Sequence, residues 1–413
     1  MSAHRTSFSQ TSLLWPVALW AALLAGILVA WSPRYWAVAV AISAISIVTI
    51  CRVAFALPLW TTGVDVARIK SPERLLQFAL LLLIGGWGYL QIAFHRTVLP
   101  QLTLDSSIVW ALSAACFVLG TGILRERAAR DLFLSLLMWS LSVLAVLAMF
   151  QFYGNTRQVF GLFPADEAVF GTFLSRNQFA ALMELAAPIA LWHMFSRNAV
   201  AGALCYAMIL AATITASSRA GVILVVGGTI VSVCMVLFTG RREAKVTASI
   251  LVGLAVLVGV AAGIAGTDQI RARFEDKNPL AVRRELRDST VRLIAERPIS
   301  GYGMGTWRAV YPHVATFDLA LLANEAHNDW VQWAAEGGIP FAIFMAALVI
   351  RIAKPAVQSI WGLGLLCVAA HSYFDYPLRE PVLSFLWFAL AGAVAQFHGR
   401  GRRRTQHPRE SVA

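Results

Sequence analysis

Charge is scarce in this chain. Only 14% of its 413 residues are Asp, Glu, Lys or Arg, where a soluble domain carries about 25%. That is too little polar surface to cover a water-facing body of this size, so a soluble globular fold is excluded. Acidic residues are scarcer than basic ones, 22 against 34. Yet no nucleic-acid motif accompanies the net charge of +12, so a nucleic-acid partner is not expected. The five cysteines (Cys51, Cys116, Cys205, Cys234 and Cys367) lie in or at the ends of apolar runs, and none forms a CxxC pair. Neither a disulfide framework nor a cysteine-ligated metal site is expected. No exposed Asp-x-Asp or carboxylate pair suggests a divalent cation, so neither a metal nor a cofactor is expected. The first apolar run lacks a small-residue cleavage site and reads as a retained span. There is no internal repeat and no low-complexity linker.

What the chain does have is hydrophobic length. Apolar residues make up 58% of it, and a helix needs about 20 of them to cross the hydrocarbon core. Candidate spans fall near 13–31, 35–51, 75–94, 108–123, 132–152, 172–195, 199–216, 220–238, 246–265, 339–352, 356–373 and 381–397. The fold class is therefore an all-α polytopic membrane protein of about twelve transmembrane helices with one large loop, 266–338. Basic residues sit in alternate connections: Arg52, Arg68, Lys70 and Arg74; Arg125, Arg127 and Arg130; Arg241, Arg242 and Lys245; and the tail from Arg400. The intervening short segments hold few, such as Arg34, Arg96 and Arg157. The positive-inside rule then puts both termini in the cytoplasm and the large loop outside. The chain divides into N-terminal spans (1–150), a membrane region with the loop (151–397) and a basic tail (398–413).

The loop holds most of the soluble chemistry. Residues 281–297 carry Leu286, Val291, Leu293 and Ile294 among arginines and read as a basic amphipathic helix on the membrane surface, ended by Pro298. A turn, Gly301–Tyr302–Gly303–Met304–Gly305, follows. Its N–H groups either cradle a phosphate or the turn simply joins two helices. A second helix is expected from about Asn324. On it Asn324, His327 and Asn328 would share a face that Gln332 and Glu336 continue.

A polar ridge beside an apolar span requires a cavity, and histidine is suited to take a proton near neutral pH. His327 is thus either a general base or a hydrogen-bonded interfacial side chain. Arg219 and Arg176 sit at outer span ends, and Arg283, Arg284, Arg287 and Arg292 line the basic helix. Several arginines at one surface suit a pyrophosphate, although each could instead snorkel to headgroups. His371, Asp375 and Arg379 are spaced i, i+4, i+8 and could form a charge network. Glu184 lies deeper in its span, where it either serves function or bonds to a neighbouring helix.

Four stretches resemble the O-antigen ligase and polymerase family of bacterial inner-membrane glycosyltransferases: GTFLSRNQFAALMELAAPIAL (171–191), TASSRAGVILV (215–225), RRELRDSTVRLIAERPISGYGMGTW (283–307) and AHNDWVQWAAEGGIPF (326–341). HSYFDYPLR (371–379) is a weaker fifth. The resemblance covers roughly 150–390. It implies a GT-C-like, metal-independent enzyme acting at the periplasmic face of the inner membrane. The implied donor is an undecaprenyl-pyrophosphate-linked glycan. The acceptor is a lipid A–core, another repeat unit or a protein hydroxyl. The resemblance also implies that His327 is the base, and that Arg219 with Arg283 or Arg284, assisted by Arg176, holds the pyrophosphate. Asn328, Gln332, Glu336, Asp375 and His371 would support them. A non-enzymatic lipid-glycan flippase is the rival. Transporters place polar residues near the midplane in repeated halves, whereas these cluster at one face.

Overall fold

The protein is described here from a computed structural model. It covers residues 11–32, 35–61, 72–154, 158–164, 169–238, 281–316 and 323–396, with parts of 251–260. The basic tail, the first ten residues, most of the expected span 246–265 and the loop start at 266–280 lie outside the described residues.

Thirteen α-helices occupy the described residues: α1 Thr11–Val29, α2 Tyr35–Thr61, α3 Pro72–Ala93, α4 Pro100–Ile123, α5 Arg127–Tyr153, α6 Arg176–Ser196, α7 Ala199–Thr215, α8 Arg219–Phe238, α9 Ala281–Glu296, α10 Trp307–Val310, α11 Asp329–Ala356, α12 Leu363–His371 and α13 Pro381–Ala395. One two-stranded hairpin pairs β1 (Gln158–Val159) with β2 (Phe163–Pro164). Seven helices (α2, α3, α4, α5, α6, α8 and α11) are long and apolar enough to cross a membrane. This is an all-α, multi-pass membrane protein. Four further apolar helices are shorter. The fifteen residues of α13 reach about 22 Å at 1.5 Å per residue, short of a hydrocarbon core of about 30 Å.

Two expected spans change. The one expected at 339–352 begins ten residues earlier, at Asp329, and bends at Gly338, whose φ is +74°. The one expected at 356–373 shrinks to a 3₁₀ turn, Ile360–Gly362, and the nine-residue α12. Pro355 closes α11, and a turn through Val357 to Ser359 must then reverse the chain.

Two helices form the axis of the bundle. Every side chain of α6 from Phe179 to Leu191, and every one of α13 from Val382 to Val394, is buried. A helix apolar on all sides is stable only when neighbours surround it. Around α6 lie α7, α8 and α12; α13 lies along α4. Glycine permits that approach, as in other membrane helix pairs. A Cβ at Gly120 of α4 would meet the Ala389 carbonyl oxygen at 1.9 Å, and one at Gly392 of α13 would meet Phe117 O at 2.0 Å. The early helices α1, α4 and α5 thus share one core with α13.

A smaller cluster caps this core. Leu286 and Leu293 of α9 pack with Tyr302, Trp307, Val310, Tyr311, Ala326 and Ala335. The basic helix is present where it was expected. Its buried side covers protein rather than membrane, and Val291, expected on that side, is exposed.

Candidate active site

The site grows from the start of α11. Its helix begins at Asp329, five residues later than the sequence periodicity predicts, because Asn328 acts as its N-cap. The Asn328 side chain accepts from Val331 N at 3.1 Å, satisfying one of the N–H groups a helix start leaves open. Asn324, His327 and Asn328 therefore do not share a helical face. His327 sits just outside the helix with φ +52°, a left-handed conformation that non-glycine residues adopt at a cost. The turn carries the imidazole away from α11 and toward residues 372–376.

Asp375 receives it. The carboxylate can only accept, so His327 Nδ1–H donates to Asp375 Oδ1, at 3.0 Å. Two other segments and the neighbouring backbone N–H converge on the same carboxylate. Arg283 of α9 donates from Nη2 to Oδ2 at 3.0 Å and from Nη1 to Phe374 O at 2.7 Å. Asn177 of α6 donates to Oδ2, and Tyr376 N donates to Oδ1 at 3.0 Å. Burial alone would raise the acid, but the His327 hydrogen bond and the charge of Arg283 outweigh it and hold Asp375 at about 2. The hydrogen bond leaves the second imidazole nitrogen, Nε2, on the far side of the ring from Asp375, and the side chain is one-third exposed, open to a ligand. The Tyr376 ring meets the His327 ring edge-on at 4.9 Å.

Asp329 locks the two halves together. Its N–H donates to Ser372 O at 2.8 Å and Asp375 O at 3.2 Å. Its carboxylate accepts from Ser372 Oγ at 2.9 Å and Leu378 N at 3.1 Å.

Behind His327 lies a second polar layer. Arg379 bridges Glu325, at 3.1 Å, and Glu336, at 2.5 Å. Gln332 Nε2 donates to both carboxylates, and its Oε1 accepts from Ala326 N at 2.8 Å. Burial pushes the Glu325 carboxyl up while Arg379 pulls it back; burial also opposes the Arg379 charge, which the surrounding carboxylates raise and hold. The glycine turn belongs to this layer. Gly301, Gly303 and Gly305 all have positive φ, and the turn aims its N–H groups inward. The anion they hold is the chain's own: Gly305 N and Trp307 N donate to the Glu336 carboxylate at 2.9 and 3.2 Å. Of the two readings of the turn, the joining of two helices holds: it connects α9 to α10, and the N–H groups that a phosphate would need are taken by Glu336.

Residues 204–346 match the O-antigen ligase family model. The resemblance read from the sequence is borne out over this segment, and glycosyl transfer of the O-antigen ligase kind is the activity it supports. No curated protein matches the chain. The family segment contains Arg219, Arg283, His327, Asn328, Gln332 and Glu336. The partner that orients His327, Asp375, lies beyond its end, as do Arg379 and, before its start, Arg176 and Asn177.

The expected arginines separate. Arg283 reaches the Asp375 cluster, while its neighbour Arg284 points to the exterior. Arg219 opens α8, half-buried, where Gly221 packs against Ala180 of α6. Arg176 opens α6, its guanidinium 5.3 Å above the Phe152 ring and 6.0 Å above Phe170. The expected network of His371, Asp375 and Arg379 does not line one helix, because α12 ends at His371. Each residue serves a different partner: His371 Nδ1 lies 2.6 Å from Glu184 Oε1 inside the bundle, Asp375 meets His327, and Arg379 meets Glu325 and Glu336.

Asn177, Glu325, Asp329 and Tyr376 carry contacts that sequence reasoning did not single out. For Asp329 the signal was available. Asn-Asp before an apolar run is a helix start, and a start at 329 frees His327 from the helix.

Proposed function

We propose that the protein transfers a glycan from undecaprenyl pyrophosphate to an acceptor hydroxyl at the periplasmic face of the inner membrane. The observation that carries this reading is the His327–Asp375 hydrogen bond inside an O-antigen ligase context. A sugar on pyrophosphate already has a good leaving group. What remains is to deprotonate the acceptor and to stabilise charge on the departing phosphate.

In the proposed reaction His327 Nε2 takes the acceptor hydroxyl proton as that oxygen attacks the anomeric carbon. The bond from that carbon to the pyrophosphate oxygen breaks, and the carrier leaves as undecaprenyl pyrophosphate. Asp375 holds the tautomer and stabilises the imidazolium. Arg283 keeps three N–H donors beyond the two used in the cluster, and with Arg219 and Arg176 it supplies positive charge for the pyrophosphate. Asn328, Gln332 and Glu336 hold the loop that presents His327. The cytoplasmic placement of both termini rests on the positive-inside pattern.

The test is a glycan profile of a deletion strain complemented with wild type or with His327→Ala. The variant is expected to insert and to support no transfer. Full transfer by the variant would remove the base assignment. Loss of all long chains from lipid A in the deletion strain identifies a ligase; single-repeat caps identify a polymerase.

A further inference from the structure

A second recess opens beside the His327 centre. It has a volume of about 140 Å³ and lies between the facing ends of α1 and α2 and the start of α13. Its walls are Gly26, Ala30, Ala37, Ala41 and the apolar side chains Val38, Leu174 and Val382. Into this wall is set Glu380, the N-cap of α13. The Glu380 side chain has no hydrogen-bond or ion-pair partner among the described residues. Burial pushes its carboxyl up to about 8, and its oxygens accept hydrogen bonds in either protonation state.

The recess adjoins the site through Tyr376. Burial first, and then the negative charge of Asp375, Glu325 and Glu380, pushes the Tyr376 phenol up. The same ring lies against His327. Leu174 of the wall stands three residues before Asn177, which bonds Asp375.

Aromatic residues adjoin the lining residues in the chain. Trp31, between the wall residues Ala30 and Ser32, stacks on Phe163 at 5.6 Å and meets Trp36 edge-on at 6.4 Å. Trp36 and Phe163 are each about half exposed. Flat aromatic faces beside a hydrogen-bonding carboxyl suit a pyranose ring, which presents C–H faces and hydroxyl edges. A lipid tail suits it poorly, because a hydrocarbon chain would cover the carboxyl and give it nothing to bond.

We propose that the recess of Glu380, with Trp31 and Trp36 at its rim, is a subsite for a neutral pyranose ring of the glycan substrate. This rests on the glycosyl-transfer reading and adds a specificity-determining residue to it. The ring belongs either to the donor or to the acceptor, and the site requires the same chemistry of both.

The experiment uses the full chain in nanodiscs and saturation-transfer difference NMR with methyl glucoside, methyl galactoside and methyl mannoside, glycerol serving as control. At least one glycoside should give a signal well above glycerol. Glu380→Leu should reduce it by about 10-fold, the scale of one lost hydrogen bond to a buried group, and Trp36→Ala should reduce it too. Glu380→Gln should largely restore it, which a general collapse of the fold would not. His327→Ala should bind normally, so loss of catalysis and loss of this subsite are read separately. Undecaprenyl-linked and lipid A glycolipids from host membranes are then added in turn. Displacement by the first assigns the ring to the donor, and by the second to the acceptor. The subsite is overturned if no glycoside exceeds glycerol, if Glu380→Leu binds as wild type, if decanol displaces the glycoside better than either glycolipid, or if neither glycolipid displaces it.

Discussion

His327 and Asp375 stand forty-eight residues apart in the chain and 3.0 Å apart at Nδ1 and Oδ1. The hydrogen bond leaves one imidazole nitrogen with a single task. Replacing Asp375 with Asn keeps the size of the side chain and removes the carboxylate. Transfer should fall by about 10²–10⁴-fold, since a misoriented or wrong tautomer cannot take the proton. Rates on membranes carrying equal amounts of wild-type and Asp375→Asn protein check this.

Arg283 and Arg284 are adjacent, yet only Arg283 joins the Asp375 cluster. Arg283→Ala should reduce transfer by about 10²-fold or more, the scale of one electrostatic group lost from a transition state. Arg284→Ala should stay within about threefold of wild type. Equal losses from both would mean that the cluster is not the functional partner of α9.

Arg379 lies between Glu325 and Glu336. Arg379→Met leaves the buried Glu336 carboxylate and the partly buried Glu325 carboxylate without a cation and should destabilise the solubilised protein by about 3–5 kcal/mol. Adding Glu325→Gln and Glu336→Gln to Arg379→Met should recover part of that loss. Thermal melts of the three proteins in one detergent measure the effect.

Stability should also depend on pH through Asp375. Its native value of about 2 lies below the ordinary 3.8, so folding favours the ionised form. That contribution is complete above about pH 4 and is lost as pH falls toward 2; it amounts to roughly 2–3 kcal/mol. Asp375→Asn should flatten this part of the curve. A wild type and variant with parallel melting curves between pH 5 and 2 would refute the assignment.

Hydrophobic length was enough to place the long apolar helices. Nearly every described span begins or ends within a few residues of its expected position. The misses share a cause. Around His327 and Asp375 the chain is shaped by polar contacts to distant residues, and no period in the local sequence records them. His327 looked helical because Asn324, Asn328, Gln332 and Glu336 fall at helical spacing, but the Asn328 cap decided where that spacing applied. Arg379 matched the spacing of His371 and Asp375, yet α12 stops before it because the 372–376 turn is needed to bring Asp375 to His327. Beside its neighbour Tyr376, the groups on the Asp375 carboxylate come from residues 177, 283 and 327, and only tertiary structure unites them.

That convergence bears on biosynthesis. A chain is made N-terminus first, and Asp375 is among the last residues that any of these segments can meet. Until it arrives, Asn177, Arg283 and His327 have no common carboxylate and His327 has no fixed tautomer. On the proposed function, a half-inserted chain therefore carries donor-binding arginines without a poised base.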